Sequence, residues 1–237
     1  MKAKTLAQAV GASSYPGRSI IIGKSKDGRR ALLIYFIMGR SVNSRNRIFV
    51  QEGDGIRTEA FDPSAMKDPS LVIYAPVRAL GNRIIVTNGD QTDTIYEYLQ
   101  NGKSFCEALR TRQFEPDAPH YTPRISALCA FENGGFALEM SALKCSDQRG
   151  EGNARFFWEY DALEAGCGYF IHTYQGDGNP LPSFEGEPEH VTLPDSAQEA
   201  AQEVWNALDA ENKVSLWVQS VCLRTGERET VIINKNK

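Results

Sequence analysis

The order of apolar and polar stretches predicts an α+β fold, with antiparallel sheets and helices layered outside them. Two observations carry this reading. Strand-like segments arrive in runs, and helix-like segments are grouped between the runs instead of alternating with strands one for one. Turn signals at Asp27-Gly28, Asn133-Gly134-Gly135 and Thr225-Gly226 fall between neighbouring strands, where hairpins need residues that tolerate positive φ.

"SIIIG" (19–23) and "ALLIYFIM" (31–38) read as the first two strands, joined through "KSKDGRR". "RIFV" (47–50), "LVIYAPV" (71–77) and "RIIVTN" (83–88) follow as strands. The apolar period then changes to that of a helix. "DTIYEYLQNG" (93–102) reads as a short helix ended by Gly102, and "SFCEALRTR" opens another, with Ser104 and Glu107 at capping-box spacing. "PRISALCAF" and "GFALEMSAL" form a hairpin, and "ARFFWEY" and "GYFIHTYQG" are further strands. "GDGNPLPSFEGEPEHVTLPD" (176–195) is the one long Pro/Gly-rich loop, a type of segment that often carries function. "PDSAQEAAQEVWNAL" is a helix capped by Asp195 or Ser196, with Ala197, Ala200, Ala201, Val204 and Leu208 at helical spacing. "KVSLWVQSVCL" and "ETVIIN" close the chain as a hairpin.

The chain has 237 residues, 41% of them hydrophobic and 24% charged, which suits a globular domain able to bury a core without staples. Its net charge of −4 argues against a non-specific nucleic-acid binder, so an anionic ligand would need local arginines. The N-terminal "MKAKTLAQAVGASS" lacks the apolar core of a signal peptide, and the longest apolar run is too short to span a bilayer. Five scattered cysteines, an odd number without a C-x-x-C pair, predict reduced thiols in a cytoplasmic protein. Three well-separated histidines give no zinc pattern.

Three polar clusters fall at strand ends. "GRSVNSRNR" (39–47) holds three arginines, suited to bidentate recognition of phosphate or carboxylate. "VTNGDQTDTI" (86–95) crowds small polar residues onto a strand-to-helix seam. "FEPDAPHYTPR" (114–124) mixes Glu115, Asp117, His120, Tyr121 and Arg124, the residue types of proton-transfer chemistry. Taken residue by residue, each cluster also fits a blander reading: a solvated face, a capped turn, a plain loop.

Taken together, "SYPGR", "SRNR", "DPSLVIYAPVR", "TNGDQTDTI", "FE…TPRISA" and "YFIHTYQG" resemble, in this order, the archaeal-type IMP cyclohydrolases. The resemblance runs from about Tyr15 to the final hairpin, and "NGDQTDT" and "TPRI" are its most specific pieces. It divides the chain into an N-terminal extension, 1–14, and a single IMP cyclohydrolase-like domain, 15–237. It implies a four-layer αββα sandwich like that of N-terminal nucleophile hydrolases. It also implies closure of 5-formamidoimidazole-4-carboxamide ribonucleotide to IMP and water in de novo purine biosynthesis, with no metal and no organic cofactor. The implied partner is a small purine ribonucleotide, with no nucleic acid and no membrane; a homo-oligomer is compatible with these features.

By matching motif positions, the resemblance assigns Arg47, Tyr74 and Glu115 to catalysis. It assigns Arg45, Asn46, Asn88, Gly89, Thr92, Asp93 and Arg124 to substrate binding. In these roles Glu115 relays a proton, Tyr74 donates to the formyl oxygen, and Arg47 binds the phosphate or polarises the base. Two other readings stay open: a nucleotide-binding protein without turnover, and an amidohydrolase of the N-terminal nucleophile type. The second needs Cys, Ser or Thr at the mature N-terminus. Met1-Lys2-Ala3 offers none, and Ser13 or Ser14 would become terminal only after processing.

Overall fold

The computed structural model describes residues 3–147 and 149–236. Strand β1 (Lys4–Thr5) runs into helix α1 (Leu6–Val10). β2 (Ser19–Lys24) and β3 (Arg30–Met38) form the first hairpin, and the short helix α2 (Val42–Arg45) leads to β4 (Arg47–Glu52) and β5 (Gly55–Ala60). β6 (Val77–Leu80), β7 (Arg83–Thr87), α3 (Gln91–Gln100) and α4 (Phe105–Arg110) follow. Then come β8 (Arg124–Glu132), β9 (Gly135–Cys145), β10 (Asn153–Tyr160), β11 (Cys167–His172) and β12 (Glu189–Thr192). α5 (Ala197–Ala207), β13 (Lys213–Cys222) and β14 (Arg228–Asn234) end the chain.

The strands form two seven-stranded sheets, ordered β1-β12-β11-β2-β3-β13-β14 and β10-β9-β8-β7-β6-β5-β4. Pairing is antiparallel except between β1 and β12, which run parallel. β3 shows how sequence sets the layers. Leu33, Tyr35 and Ile37 face the other sheet, where they meet Phe49, Val86 and Ile125. The alternate residues Leu32, Ile34 and Phe36 face Leu6, Val10, Ala200 and Val204 of α1 and α5. A strand buried on both faces reads as a continuous apolar run, which is why 31–38 contains no polar residue but the hydroxyl of Tyr35. A third cluster packs Ile95, Leu99, Phe105 and Leu109 of α3 and α4 on Ile85, Leu128 and Leu143 of the second sheet. Each large apolar side chain removed from water in this way contributes about 1.5–3 kcal/mol.

Local signals explain the ends of the elements. Ser104 and Glu107 form the capping box that starts α4. Ser196, not Asp195, caps α5 through the Glu199 N–H. Asn133 and Gly134 both hold positive φ in the β8–β9 turn. All five cysteines are free thiols.

Several expectations need correction. Residues 71–76 are not a strand; β6 begins only at Val77. Pro69 and Pro76 bracket the segment, and proline cannot donate to a ladder. The Ile73 N–H instead turns back to the Pro69 carbonyl at 2.9 Å, and Thr58 Oγ1 donates to the Val72 and Tyr74 carbonyls at 2.9 and 3.0 Å. β5, with Ile56 its only strongly apolar residue, and β12, inside the long loop, were not expected as strands. The segment before Tyr15 is built into the fold: β1 pairs with β12, and Leu6, Ala9 and Val10 are buried against α5 and the first sheet.

A polar knot holds that segment. Lys4 reaches Glu189 at 2.5 Å, and His172 Nε2 lies 3.4 Å from the same carboxylate. The His172 hydrogen bond, followed by Lys4, lowers the Glu189 carboxyl to about 2 from an ordinary 4.5. A depressed folded value stabilises above the unfolded one, and that contribution is lost as pH falls through the folded value. Lys4 is about half exposed and Glu189 about a third, so solvent screens the pair and about 1 kcal/mol or less is expected at neutral pH. Glu189→Gln is therefore predicted to melt about 2–4 °C below wild type at pH 7. The gap should narrow below pH 4.5 and close near pH 2, as followed by circular dichroism.

Candidate active site

A cavity of about 260 Å³ opens where several strand ends and loops meet, lined by Arg18, Arg40, Arg47, Glu115, His120 and Tyr174 among others. Arg18 ends the "SYPGR" stretch just before β2, and Arg47 is the first residue of β4. Glu115 and His120 lie in the loop entering β8, and Tyr174 lies just beyond β11. The elements of both sheets therefore contribute to one wall-to-wall cluster of charge.

Its centre is a buried fork. Arg18 Nη1 and Nη2 donate to Glu115 Oε1 and Oε2 at 2.8 and 2.7 Å, and Nη1 also donates to the Asn88 carbonyl at 2.7 Å. Glu115 is 2% exposed and Arg18 9%. Burial works against the Arg18 charge, but the Glu115 carboxylate outweighs it and holds the guanidinium above its usual range. Gly17, at φ 77°, is required here: a Cβ would lie 2.2 Å from Thr173 Oγ1 and 2.6 Å from the Tyr174 ring.

Arg47 is different. It is 3% exposed, with Nε donating to the Ser44 carbonyl at 2.7 Å and Nη2 to the Met38 carbonyl at 3.3 Å. No described carboxylate pairs with it. Burial lowers its pKa, and Arg18 adds repulsion, while an arginine still keeps its proton in water. It is a buried cation with neutral partners. Arg40, half-buried, stands over the Tyr15 ring at 5.1 Å and pairs with Asp177 of the long loop.

Of the ten residues assigned from the sequence, Arg47 and Glu115 line the cavity. The other eight sit elsewhere. Arg124 lies behind Glu115, 4.0 Å from Oε1, and is bound by Asp90 at 2.6 Å and Gln91 at 2.8 Å. Asn88 is fully buried; its side chain spans the Pro123 carbonyl, the Ile125 N–H and Gln91. Gly89 makes room for this cluster, since a Cβ there would meet Arg124 Nη1 at 2.6 Å. The Thr92 hydroxyl bonds Thr87 and the Gly89 carbonyl. Asp93 is exposed and pairs with Arg78 at 2.7 Å. Arg45 is occupied by the Gly39 carbonyl and Asn212, and Asn46 by the backbone of Asp62. The Tyr74 hydroxyl meets that of Tyr35 at 2.8 Å. "NGDQTDT" is thus polar because it braces the charged residues behind the cavity wall. The N-terminus of α3 is already supplied with an anion, Asp90. Burial opposes its charge, but Arg112 and Arg124 hold its carboxyl below the usual range.

Sequence reasoning missed Arg18, Arg40, Tyr15 and Tyr174 as site residues. Arg18 and Tyr15 stood in a quoted motif, "SYPGR", and Arg40 in the arginine cluster, so the signal was present. Cys106, Glu139 and Glu159 bring ligand-type atoms within 4.8 Å of one another, but none of them lines the cavity.

Breaking a buried pair by neutralising one partner costs about 3–5 kcal/mol. Glu115→Gln should therefore lower the melting temperature by roughly 10 °C, whereas Asp93→Asn, on an exposed pair, should stay within about 2 °C of wild type. Paired calorimetric melts check both values.

A model of the family described as IMP cyclohydrolase-like protein matches residues 15–226. The IMP cyclohydrolase of Methanopyrus kandleri is 36% identical over 117 residues, covering 48% of this chain and 58% of that protein. That of Methanocaldococcus jannaschii is 27% identical over 210 residues, covering 85% of this chain and 91% of that protein. That of Methanococcus aeolicus is 26% identical over 118 residues, covering 48% of this chain and 57% of that protein. The match to two of these three relatives thus spans little more than half their length, and the third is matched nearly throughout. With its family matched from Tyr15 to Gly226, the chain belongs to the IMP cyclohydrolase-like family.

Proposed function

We propose that the protein is an IMP cyclohydrolase, closing 5-formamidoimidazole-4-carboxamide ribonucleotide to IMP with release of water in the cytoplasm. The observation that carries this reading is Arg47: a buried cation without a carboxylate partner among the described residues, facing a cavity it shares with Arg18 and Arg40. The protein as a whole is negative, so a dianionic phosphate is drawn in only by such a local field. Helix pairs outside two facing sheets also support the αββα layer order of N-terminal nucleophile hydrolases for this chain.

The chemistry asks for positioning and charge. An amide nitrogen is a poor nucleophile, so the carboxamide must be held against the formyl carbon. As the C–N bond forms, the formyl oxygen becomes anionic. It then leaves as water, carrying one proton from each of the two nitrogens that flank the closing carbon. Arg47 and Arg40 anchor the phosphate. Arg18, aimed by Glu115 and the Asn88 carbonyl, holds a fixed positive charge where the oxyanion develops, with no reorganisation needed during reaction. Both Glu115 oxygens already accept from Arg18, so its first task in this scheme is to orient that guanidinium.

Incubation with the formamido ribonucleotide tests the proposal: IMP must accumulate catalytically, and binding without turnover would make the protein a nucleotide sensor. Arg47→Ala removes a charge-assisted contact of about 1.5–3 kcal/mol and should weaken IMP binding roughly ten- to hundredfold. Arg47→Lys should recover part of the loss if the contact is a planar fork. Calorimetric titration at fixed salt, with melts as folding controls, distinguishes these outcomes from an arginine that binds nothing.

A further inference from the structure

One polar chain on the cavity wall has no part in the scheme above. Thr122 donates its hydroxyl to Asp117 Oδ2 and its N–H to Asp117 Oδ1, the latter at 2.7 Å. A carboxylate only accepts, so the Thr122 proton is committed to Asp117. The contact between Thr122 Oγ1 and the Tyr174 hydroxyl therefore runs one way, with Tyr174 donating. A phenol has one proton. Spent on Thr122, it leaves the Tyr174 oxygen as an acceptor only.

The ring that carries this oxygen is fixed. It packs on Gly17, stacks with Tyr15 at 6.0 Å between centroids, and its residue's carbonyl is bound by His172 Nδ1 at 2.8 Å. Thr122 and Tyr174 are 1% and 5% exposed, so what little surface they offer is the part that lines the cavity. Burial also pushes the Tyr174 phenol up, against the pull of Arg18, so it keeps its proton in neutral solution.

We propose that Tyr174, polarised by Thr122 and Asp117, reads the ring-closing edge of the ligand, accepting a hydrogen bond from the carboxamide N–H of the open substrate and from the N1–H of the closed 6-oxopurine ribonucleotide. This rests on the cyclohydrolase reading. Both ligands present a donor at that nitrogen. A 6-aminopurine ribonucleotide presents a lone pair there instead, and two facing acceptors both stay unpaired. Thr122 is then a positioning residue: it sets the direction of the Tyr174 hydroxyl without touching the ligand.

The test is calorimetric titration of IMP and AMP into wild type, Tyr174→Phe, Thr122→Val and Thr122→Ser, with melts as controls. Wild type should bind IMP roughly tenfold or more tighter than AMP. Tyr174→Phe should weaken IMP but not AMP. Thr122→Val frees the phenol proton to turn toward N1, so the preference for IMP should shrink severalfold, and Thr122→Ser should restore it. A packing role alone would shift both ligands together. If Tyr174→Phe does not fold, the Thr122 pair decides alone. An IMP:AMP ratio unchanged across folded variants that still bind IMP overturns this inference and leaves the cyclohydrolase reading standing. A wild-type protein that binds no IMP overturns both.

Discussion

The Arg18–Glu115 fork is the contact on which the site depends, because its partners come from different layers. Arg18 precedes β2 of the first sheet, Glu115 precedes β8 of the second, and the Asn88 carbonyl that shares Arg18 Nη1 follows β7. The fork is a bolt between two sheets at the end where the cavity opens. A buried ion pair adds little net stability over an apolar pair of similar size, yet losing one partner is costly. Its value is therefore geometric: it permits one relative placement of three loops and penalises the rest. Behind it Arg124, held by Asp90 and by the Gln91 amide, stands 4.0 Å from Glu115 and limits its movement.

Charge is distributed unevenly for a reason. The surface is acidic overall, while three arginines gather at the cavity. Two of them are paired with acids, Arg18 with Glu115 and Arg40 with Asp177, and among the described residues Arg47 rests on carbonyl dipoles alone. Carbonyls orient a guanidinium without cancelling its charge. The free protein thus carries a solvation penalty that an anion entering the cavity, as proposed above, would relieve.

Much of the fold was legible because burial leaves a periodic trace. The run at 31–38, the turn glycines and the Ser104/Glu107 box each have a local cause that survives in one sequence. β5 was not legible: one apolar residue in "GIRTEA" gives no period, and its place is set by pairing with β4. "LVIYAPV" misled for the opposite reason, since its unbroken apolar run reads as a buried strand while Pro76 within it and Pro69 just before it cannot donate to a ladder. At the cavity, the sequence pointed to strand ends that border it but not to which polar residues face it. Asn88 and Thr92 have the composition of a ligand loop and are buried as braces. Polarity in a turn records that hydrogen bonds are needed, not whether protein or ligand supplies them. Arg18 was missed because a lone arginine makes no cluster, however central its position.

The double-sided burial of β3 bears on how this chain tolerates insertions. Both faces of the strand are apolar, so a one-residue slip would exchange its two sets of side chains with no penalty from polarity alone. The exception is Tyr35, whose hydroxyl finds Tyr74 on the inner side. After a slip, that hydroxyl would point into the helix-facing core among Leu6, Val10 and Val204, which have nothing to offer it. The tyrosine pair works as a register key in an otherwise degenerate strand. Evolutionary drift in the length of the β2–β3 turn is therefore checked 39 residues away in sequence, by a single phenol that must find its partner.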